Sequence, residues 1–179
     1  MKSLLTDETL SEQPLIPQDR LQERVSELGR EISAAYIGRE LALVAILRGA
    51  FVFAADLLRA ITIPAAIDFM AISSYAGQAG AVRITKDLEE SIAGRHVVMV
   101  EDIIDTGLTA NYLLENLRRR NPASLALCTL LDRSARRIID LPIAYRGFVI
   151  PDLFVVGYGL DYQQRYRNLP HITALRLAE

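Results

Sequence analysis

The chain has 179 residues, of which 51% are hydrophobic and 23% are charged, and its formal net charge is −2. A chain of this length can bury a core as one domain without disulfide bonds, and its single cysteine, Cys128, lies in an apolar run typical of a core. The slightly negative charge argues against non-specific binding to nucleic acid or acidic membranes, which requires many clustered cations.

The hydrophobic pattern predicts helices and strands that alternate along the chain. We expect helices over 18–37, 50–61 and 106–121, and strands over 41–47, 65–74, 97–100, 124–131, 144–149 and 153–157. This alternation predicts an α/β fold with a mostly parallel central sheet and helices on both of its faces. Because no internal repeat or low-complexity linker interrupts the pattern, we expect a single domain over residues 1–179.

Two other segments have distinct compositions. Residues 1–17 carry acidic side chains and no long apolar stretch, so we expect neither a signal peptide nor a membrane anchor and place the protein in the cytoplasm. Residues 74–94 are rich in glycine and charge, which is typical of either a mobile loop or a short hairpin. Long loops inside compact domains often act as lids.

Three carboxylates, Glu101, Asp102 and Asp105, follow the apolar strand at 97–100 directly. Thr106, Gly107 and Thr109 come next and open the predicted helix, whose first backbone N–H groups have no partner within the helix. Free N–H groups at a helix start bind phosphate, and carboxylates this close together favour a shared cation. The segment therefore predicts a phosphate site beside an acidic cluster.

Two simpler interpretations of these acids fit the sequence less well than a phosphate site. A solvated turn would not require paired carboxylates at the end of a strand. The triplet Asp105-Thr106-Gly107 also occurs in aspartic proteases, but there it would lead into more strand. Here a helical run containing Leu113, Leu114 and Leu117 follows instead.

The heptapeptide Glu-Asp-Ile-Ile-Asp-Thr-Gly at 101–107 resembles the phosphoribosyl pyrophosphate (PRPP) motif of type I phosphoribosyltransferases, in its hypoxanthine-guanine branch. The resemblance extends over roughly residues 40–171 and includes Leu-Arg-Gly-Ala at 47–50 and Phe-Val-Val-Gly-Tyr-Gly-Leu-Asp-Tyr at 154–162. It implies the type I phosphoribosyltransferase fold, with a small hood formed by the chain termini. The implied parts are a core over about 38–140, a lid over about 74–94 and a base-binding hood segment over about 141–172.

The resemblance also implies a function. An enzyme of this branch transfers the ribosyl phosphate of PRPP to hypoxanthine or guanine, with Mg²⁺ as cofactor, and releases IMP or GMP and pyrophosphate. Its expected partners are these small molecules and further copies of itself, as a homodimer or homotetramer, with no nucleic acid and no membrane. The alternatives are a transferase that prefers xanthine and a nucleotide-sensing regulator that has kept the fold and binds nucleic acid.

Individual roles follow from matching positions. Asp105 is implied as the catalytic residue that accepts or relays a proton at N7 of the purine. Ligands of the metal are implied to be Glu101, Asp102 and Asp161. The residues implied to bind the ribose and its phosphate are Glu101, Asp102, Thr106, Gly107, Leu108 and Thr109. Because some members carry lysine where this chain has Leu108, we expect this phosphate to depend more on backbone and hydroxyl donors.

The remaining implied residues bind the pyrophosphate or the purine. The pyrophosphate-binding residues are Arg48, Gly49, Ser74, Tyr75 and Arg167. The purine-binding residues are Arg133, Phe154, Val155 and Asp161. A cis peptide bond is expected between Leu47 and Arg48, because this branch has one before the basic residue of that loop.

Arg133 is the main departure from the family pattern, since much of the family has lysine there. A cation at this position favours a carbonyl over an amine at purine C6. The guanidinium fork reaches differently from an ammonium group, so the order of hypoxanthine, guanine and xanthine stays open.

Overall fold

The computed structural model describes residues 8–74 and 82–177. It contains three α-helices, one 3-10 turn and nine strands within these ranges. In chain order they are β1 (Glu8–Leu10), α1 (Gln18–Ala35), β2 (Leu41–Leu47), α2 (Phe51–Ala60), β3 (Ala65–Ser74), β4 (Val82–Lys86), β5 (His96–Ile104), α3 (Leu108–Arg118), β6 (Ser124–Asp132), the 3-10 turn Ser134–Arg136, β7 (Ile143–Val149), β8 (Val155–Val156) and β9 (Thr173–Leu177).

The main sheet has six strands in the order β4-β3-β2-β5-β6-β7. The pairs β3–β2, β2–β5, β5–β6 and β6–β7 are parallel, and only the edge strand β4 is antiparallel to its neighbour. The expected mostly parallel α/β sheet is therefore confirmed. Because the inner strands run the same way, their carboxyl ends meet along one edge, where Ile104 of β5 pairs with Asp132 of β6.

The two faces of the sheet are covered by different helices, as expected. Alternate residues of β2 point to opposite faces, so Leu43 packs in one core with Leu28 of α1 and Leu57 of α2. Val44 packs in the other core with Leu113 of α3. Both faces of β2 are thus buried, which explains why its sequence is a continuous apolar run.

A second, three-stranded sheet has the order β1-β9-β8 and joins the two ends of the described chain. This matches the expected hood from the chain termini. The pattern predicted neither β1 nor β9, and it predicted a strand over 153–157 where only Val155–Val156 forms. Gly157 has φ +102°, which ends the strand. The segment 141–172 is divided between the sheets, because β7 belongs to the main one.

Two boundaries near the acidic segment differ from the prediction. β5 continues to Ile104 rather than ending at Val100, so Glu101 and Asp102 lie within the strand. α3 begins at Leu108 rather than Thr106, because Gly107 adopts φ +86° as its N-cap. Glu101 and Asp102 consequently have a rigid sheet backbone, and only residues 105–107 form the turn.

Of the two alternatives for residues 74–94, the structure contains strand pairing, with β4 antiparallel to β3. Tyr75 lies outside the described residues. Within the described ranges, no helix combines the length and apolar character that crossing a membrane requires. Cys128 is buried in the core as expected, and burial raises the pKa of its thiol.

Replacing Leu113 by alanine should test the packing of α3 on the sheet. Leu113 is fully buried, so we expect the free energy of unfolding to fall by about 2–5 kcal/mol. Neighbouring Tyr112 is 41% exposed, and Tyr112→Ala should cost less than about 1 kcal/mol. Urea denaturation of both variants measures the difference, and equal losses would contradict this packing.

Candidate functional site

Two cavities lie side by side at the edge of the main sheet where the parallel strands end. Their volumes are about 270 Å³ and 350 Å³. Both are lined by Gly49, Asp102, Ile103 and Asp105, so they are adjoining parts of one cleft. Ligands of open parallel sheets bind at this position.

The first cavity, called the turn cavity here, is formed by the end of β5 and the start of α3. Besides the four shared residues, it is lined by Ile46, Leu47, Ile72, Glu101, Ile104, Thr106, Gly107, Thr109 and Ala110. It therefore contains the predicted acidic cluster and most of the predicted phosphate turn.

The start of α3 provides the anion-binding part of the turn cavity. The Leu108 N–H donates only a long hydrogen bond of 3.4 Å to the Thr106 hydroxyl, and the first helix-type bond comes from the Asn111 N–H to the Gly107 carbonyl, at 2.9 Å. The N–H groups of the first turn are thus free for a phosphate. The Leu108 side chain is 48% exposed and is not among the lining residues.

The carboxylates of Glu101 and Asp102 are crowded at the floor of the cleft. Glu101 is only 6% exposed, and burial, followed by the charge of Asp102, holds its pKa well above the usual range. Burial also raises the pKa of Asp102 to about 6, although the Ile103 N–H donates to Asp102 at 2.8 Å and Arg167 opposes the shift. Both carboxylates would gain from a cation in the cleft.

The donors fit a metal ion that is bound together with its ligand. In residues 8–74 and 82–177 there is no group of three or more acidic, histidine or cysteine side chains placed to hold a metal by themselves. Mg²⁺ is usually held by one or two carboxylates together with phosphate oxygens and water. Glu101 and Asp102 match the protein share of such a set.

The loop after β2 approaches Asp102 closely. The peptide bond between Leu47 and Arg48 is cis, as expected. A Cβ atom on Gly49 would lie 1.5 Å from Asp102 Oδ2 and one on Gly159 would lie 2.3 Å from the Gly49 carbonyl oxygen. Glycine at both positions therefore allows the loop to pack between the acidic cluster and the segment after β8.

The second cavity, called the hood cavity here, is lined by aromatic, apolar and cationic side chains. Besides the four shared residues, it is lined by Arg48, Arg133, Phe154, Val155, Leu160, Asp161 and Arg167. Phe154 is 44% exposed and meets Tyr162 edge to face, with 5.7 Å between ring centroids. Its open ring face is suited to stacking on a planar ligand.

Arg133 is held at the back of the hood cavity. It is 8% exposed, and its Nη2 donates to the Leu153 carbonyl oxygen at 2.5 Å. Its Nη1 lies 3.4 Å from Asp105 Oδ2. Among the described residues, Arg133 Nε and Asp105 Oδ1 are buried without a hydrogen-bond partner. Both residues line the hood cavity, so each could offer this atom to a ligand after a small rotation of its side chain.

Arg136 belongs to the same cluster, although no site role was predicted for it. Its Nη1 lies 3.7 Å from Asp105 Oδ2, and its Nε lies 2.7 Å from Asp152 Oδ1. The sequence feature that could have indicated this role is the cluster of three arginines at 133, 136 and 137. Their position relative to Asp105 depends on how β5 and β6 are aligned.

Asp161 and Arg167 form an ion pair at the side of the hood cavity. Arg167 Nη2 lies 2.6 Å from Asp161 Oδ1, and its Nη1 donates to the Gly159 carbonyl oxygen at 2.7 Å. The Gln164 N–H donates to the other Asp161 oxygen at 2.8 Å. Asp161 already has protein partners, so it would have to exchange one of them to contact a metal directly.

The structure thus brings most of the predicted site residues together as the lining of the cleft. Leu108, whose backbone is the predicted donor, begins α3, Ser74 is the last residue of β3, and Tyr75 lies outside the described residues. Lining residues that the sequence did not single out include Ile46, Ile72, Ala110 and Leu160. They are apolar residues with no pattern that separates them from the core.

Comparison with known proteins agrees with this arrangement. A family model of the phosphoribosyl transferase domain matches residues 17–163. A hypoxanthine phosphoribosyltransferase of Salmonella typhimurium is 50% identical over 163 residues, which cover 88% of this chain and 92% of the relative. A hypoxanthine-guanine phosphoribosyltransferase of Mycobacterium avium is 49% identical over 170 residues, covering 90% of this chain and 84% of the relative.

A solved structure shows the same similarity in three dimensions. The crystal structure of a hypoxanthine-guanine phosphoribosyltransferase from Bacillus anthracis, with a HEPES molecule in its active site, superposes with a TM-score of 0.89. It is 44% identical in sequence, and the match covers 94% of this chain and 99% of that chain.

Gly49→Ala should disturb the cleft without touching the core. Because the added Cβ would overlap Asp102, we expect the affinity for PRPP with Mg²⁺ to fall by at least about tenfold, or about 1.4 kcal/mol. Gly94→Ala is the control, since its Cβ would meet nothing within 4 Å. Its φ of +76° also strains alanine, so this variant shows the effect of backbone strain without a clash in the cleft. Calorimetric titration of both variants makes the comparison, and unchanged PRPP affinity in Gly49→Ala would contradict the close packing.

Proposed function

This chain belongs to the phosphoribosyl transferase family, and from that premise we propose that its cleft joins hypoxanthine to the ribosyl phosphate of PRPP. The enzyme converts the two substrates to IMP and pyrophosphate in purine salvage. One observation supports the roles given to the residues of the cleft: the turn cavity and the hood cavity adjoin each other and share Asp102 and Asp105. A phosphate in one and a base in the other would meet at these residues.

The hood cavity would bind the purine. Phe154 stacks on the ring face, and Val155, at the start of β8, offers backbone groups to the ring edge. The unpartnered Nε of Arg133 donates a hydrogen bond to the oxygen on C6. An amine at C6 is itself a donor and could not accept this hydrogen bond. This contact favours hypoxanthine over adenine and also accommodates guanine, since both oxopurines carry that oxygen.

The turn cavity would bind the ribose and its phosphate. The N–H groups at the start of α3 and the hydroxyls of Thr106 and Thr109 bind the phosphate. Glu101 and Asp102 would accept hydrogen bonds from the ribose hydroxyls or would hold Mg²⁺. Mg²⁺, when bound, would supply positive charge to the departing pyrophosphate.

The remaining groups would act on the purine, whose N9 forms the new bond to C1, and on the pyrophosphate, whose bond to C1 breaks. The unpartnered Oδ1 of Asp105 accepts the purine proton near N7 as N9 bonds to C1 of the ribose. Arg167 and Arg48, both lining the hood cavity, donate to the pyrophosphate. Asp161 would help to hold a metal ion if it exchanged one of its present partners. No covalent intermediate is required, because holding C1 and N9 in line supplies much of the rate.

We further propose that the enzyme acts in the cytoplasm as a homodimer or homotetramer. No membrane span occurs in the described helices, and the described surface carries large exposed apolar side chains such as Ile37, at 72%, and Ile138, at 70%. Residues 74–94, of which 75–81 lie outside the described residues, would act as a lid that keeps water from C1 of the ribose during the transfer.

Base selection tests the function and the role of Arg133 together. With PRPP and Mg²⁺, the protein should form IMP from hypoxanthine and little AMP from adenine. Arg133→Met should lower kcat/KM for hypoxanthine by about 10- to 150-fold, the cost of one charged hydrogen bond, with little change for adenine. Separate assays with guanine and xanthine rank the other bases.

Arg136→Met is the matched control, because Arg136 also pairs with Asp105 but does not line the hood cavity. Its hypoxanthine-to-adenine ratio should equal that of the unmodified enzyme. Tight binding of PRPP or nucleotide without nucleotide formation from any of the four bases would refute the transferase and favour the regulator.

Asp105→Asn tests the proton role. We expect kcat to fall by about 10²- to 10⁴-fold, because an amide cannot accept the proton, while the affinity for PRPP changes little. Asp152→Asn serves as control, since Asp152 pairs with the same Arg136 but lines neither cavity. Steady-state assays combined with PRPP titration separate the two effects, and full turnover of Asp105→Asn would exclude the role.

A further inference from the structure

An ion network centred on a buried carboxylate lies directly behind residues 105–107, called the catalytic turn here. Asp132, the last residue of β6, is 2% exposed. Its Oδ1 accepts a short hydrogen bond from Arg137 Nη2, and its Oδ2 lies 2.9 Å from Arg146 Nε of β7. Two guanidinium groups thus compensate one buried carboxylate. None of these three residues lines the turn cavity or the hood cavity.

Arg137 directs its remaining donors at the backbone of the catalytic turn. Its Nε donates to the Asp105 carbonyl oxygen at 3.0 Å, and Nη2 also lies 3.5 Å from the Ile104 carbonyl oxygen. Its side chain is 14% exposed, so water competes little for these contacts. Arg146, by contrast, makes its side-chain contact with Asp132 and is 47% exposed.

The residues after Arg137 continue the same support. The N–H groups of Ile138 and Ile139 both donate to the Thr106 carbonyl oxygen, at 2.9 and 3.1 Å. A Cβ on Gly107 would lie 2.9 Å from the Ile139 carbonyl oxygen and 3.1 Å from Arg137 Cδ. Residues 137–139 therefore fix the carbonyl groups of 104–106 and pack beneath the N-cap of α3.

From these contacts we propose that Arg137, oriented by Asp132, is a positioning residue for catalysis. It lines neither of the two cavities. By holding the backbone of Asp105 and Thr106, it sets the distance between the proton acceptor and the phosphate-binding turn, and a shift of about 1 Å in a reacting group can cost about 100-fold in rate. The inference rests on the proposed function, because it assigns Asp105 and the turn their roles.

Arg137→Lys is the central test. Lysine keeps a charge beside Asp132 but has a single ammonium group, which cannot reproduce the fork that reaches Asp132 and two carbonyl oxygens. We expect an unfolding midpoint close to that of the unmodified enzyme and a kcat lowered by about 100-fold. The KM for hypoxanthine should change less than about threefold, because Arg133 and Phe154 are untouched, and IMP should bind about tenfold more weakly.

Arg146→Ala is the matched control. It removes the other partner of Asp132 and should lower the unfolding midpoint, yet it should leave kcat within about threefold, because the ion pair of its side chain is with Asp132 and not with residues 104–106. If Arg137→Lys and Arg146→Ala lower kcat equally, or if Arg137→Lys keeps full kcat, the positioning role is wrong.

The two proposals fail in distinguishable ways. Absence of IMP formation by the unmodified enzyme would refute the proposed function. An unmodified enzyme that forms IMP, together with an Arg137→Lys variant that is stable and fully active, would refute only the positioning role. Affinity for ribose 5-phosphate, measured by calorimetry, tests the phosphate turn without any turnover, and an equal affinity in Arg137→Lys and the unmodified enzyme would also contradict it.

Discussion

The parallel alignment of β5 between β2 and β6 is the constraint on which the site depends. It brings the loop after β2, the acidic end of β5 and the cationic turn after β6 to one edge of the sheet. Because both faces of these strands are buried under helices, their ends have little freedom to move. Between β5 and α3 the chain turns within residues 105–107, where Gly107 adopts φ +86°.

Charge is balanced across this edge rather than within each element. β5 contributes Glu101 and Asp102, whose pKa values are raised by burial, and these face a cleft that a cation or a ribose can enter. The turn after β6 contributes arginines, of which Arg133 faces the base and Arg137 faces the backbone of the catalytic turn. The 3-10 turn Ser134–Arg136 thus has at its two ends arginines with different contacts.

Much of this could be predicted from the sequence. The buried strands β2 and β6 are continuous apolar runs, and the heptapeptide at 101–107 carries its chemistry in adjacent residues. By contrast, β1 and β9 are short, and their pairing joins residues more than 160 positions apart, such as Leu10 and Leu175. No local sequence pattern therefore predicts them. The contacts of Arg136 and Arg137 with Asp105 depend on strand register, and the approach of Gly49 to Asp102 depends on how a loop packs. Neither can be read from spacing along the chain.

The most direct test of the account is a crystal structure of the protein with IMP, pyrophosphate and Mg²⁺. We predict the phosphate of IMP at the start of α3, the purine between Phe154 and Arg133, and Asp105 beside N7. Such a result would establish the two cavities as one active site. A nucleotide bound with its base in the turn cavity, or away from this edge of the sheet, would contradict the account.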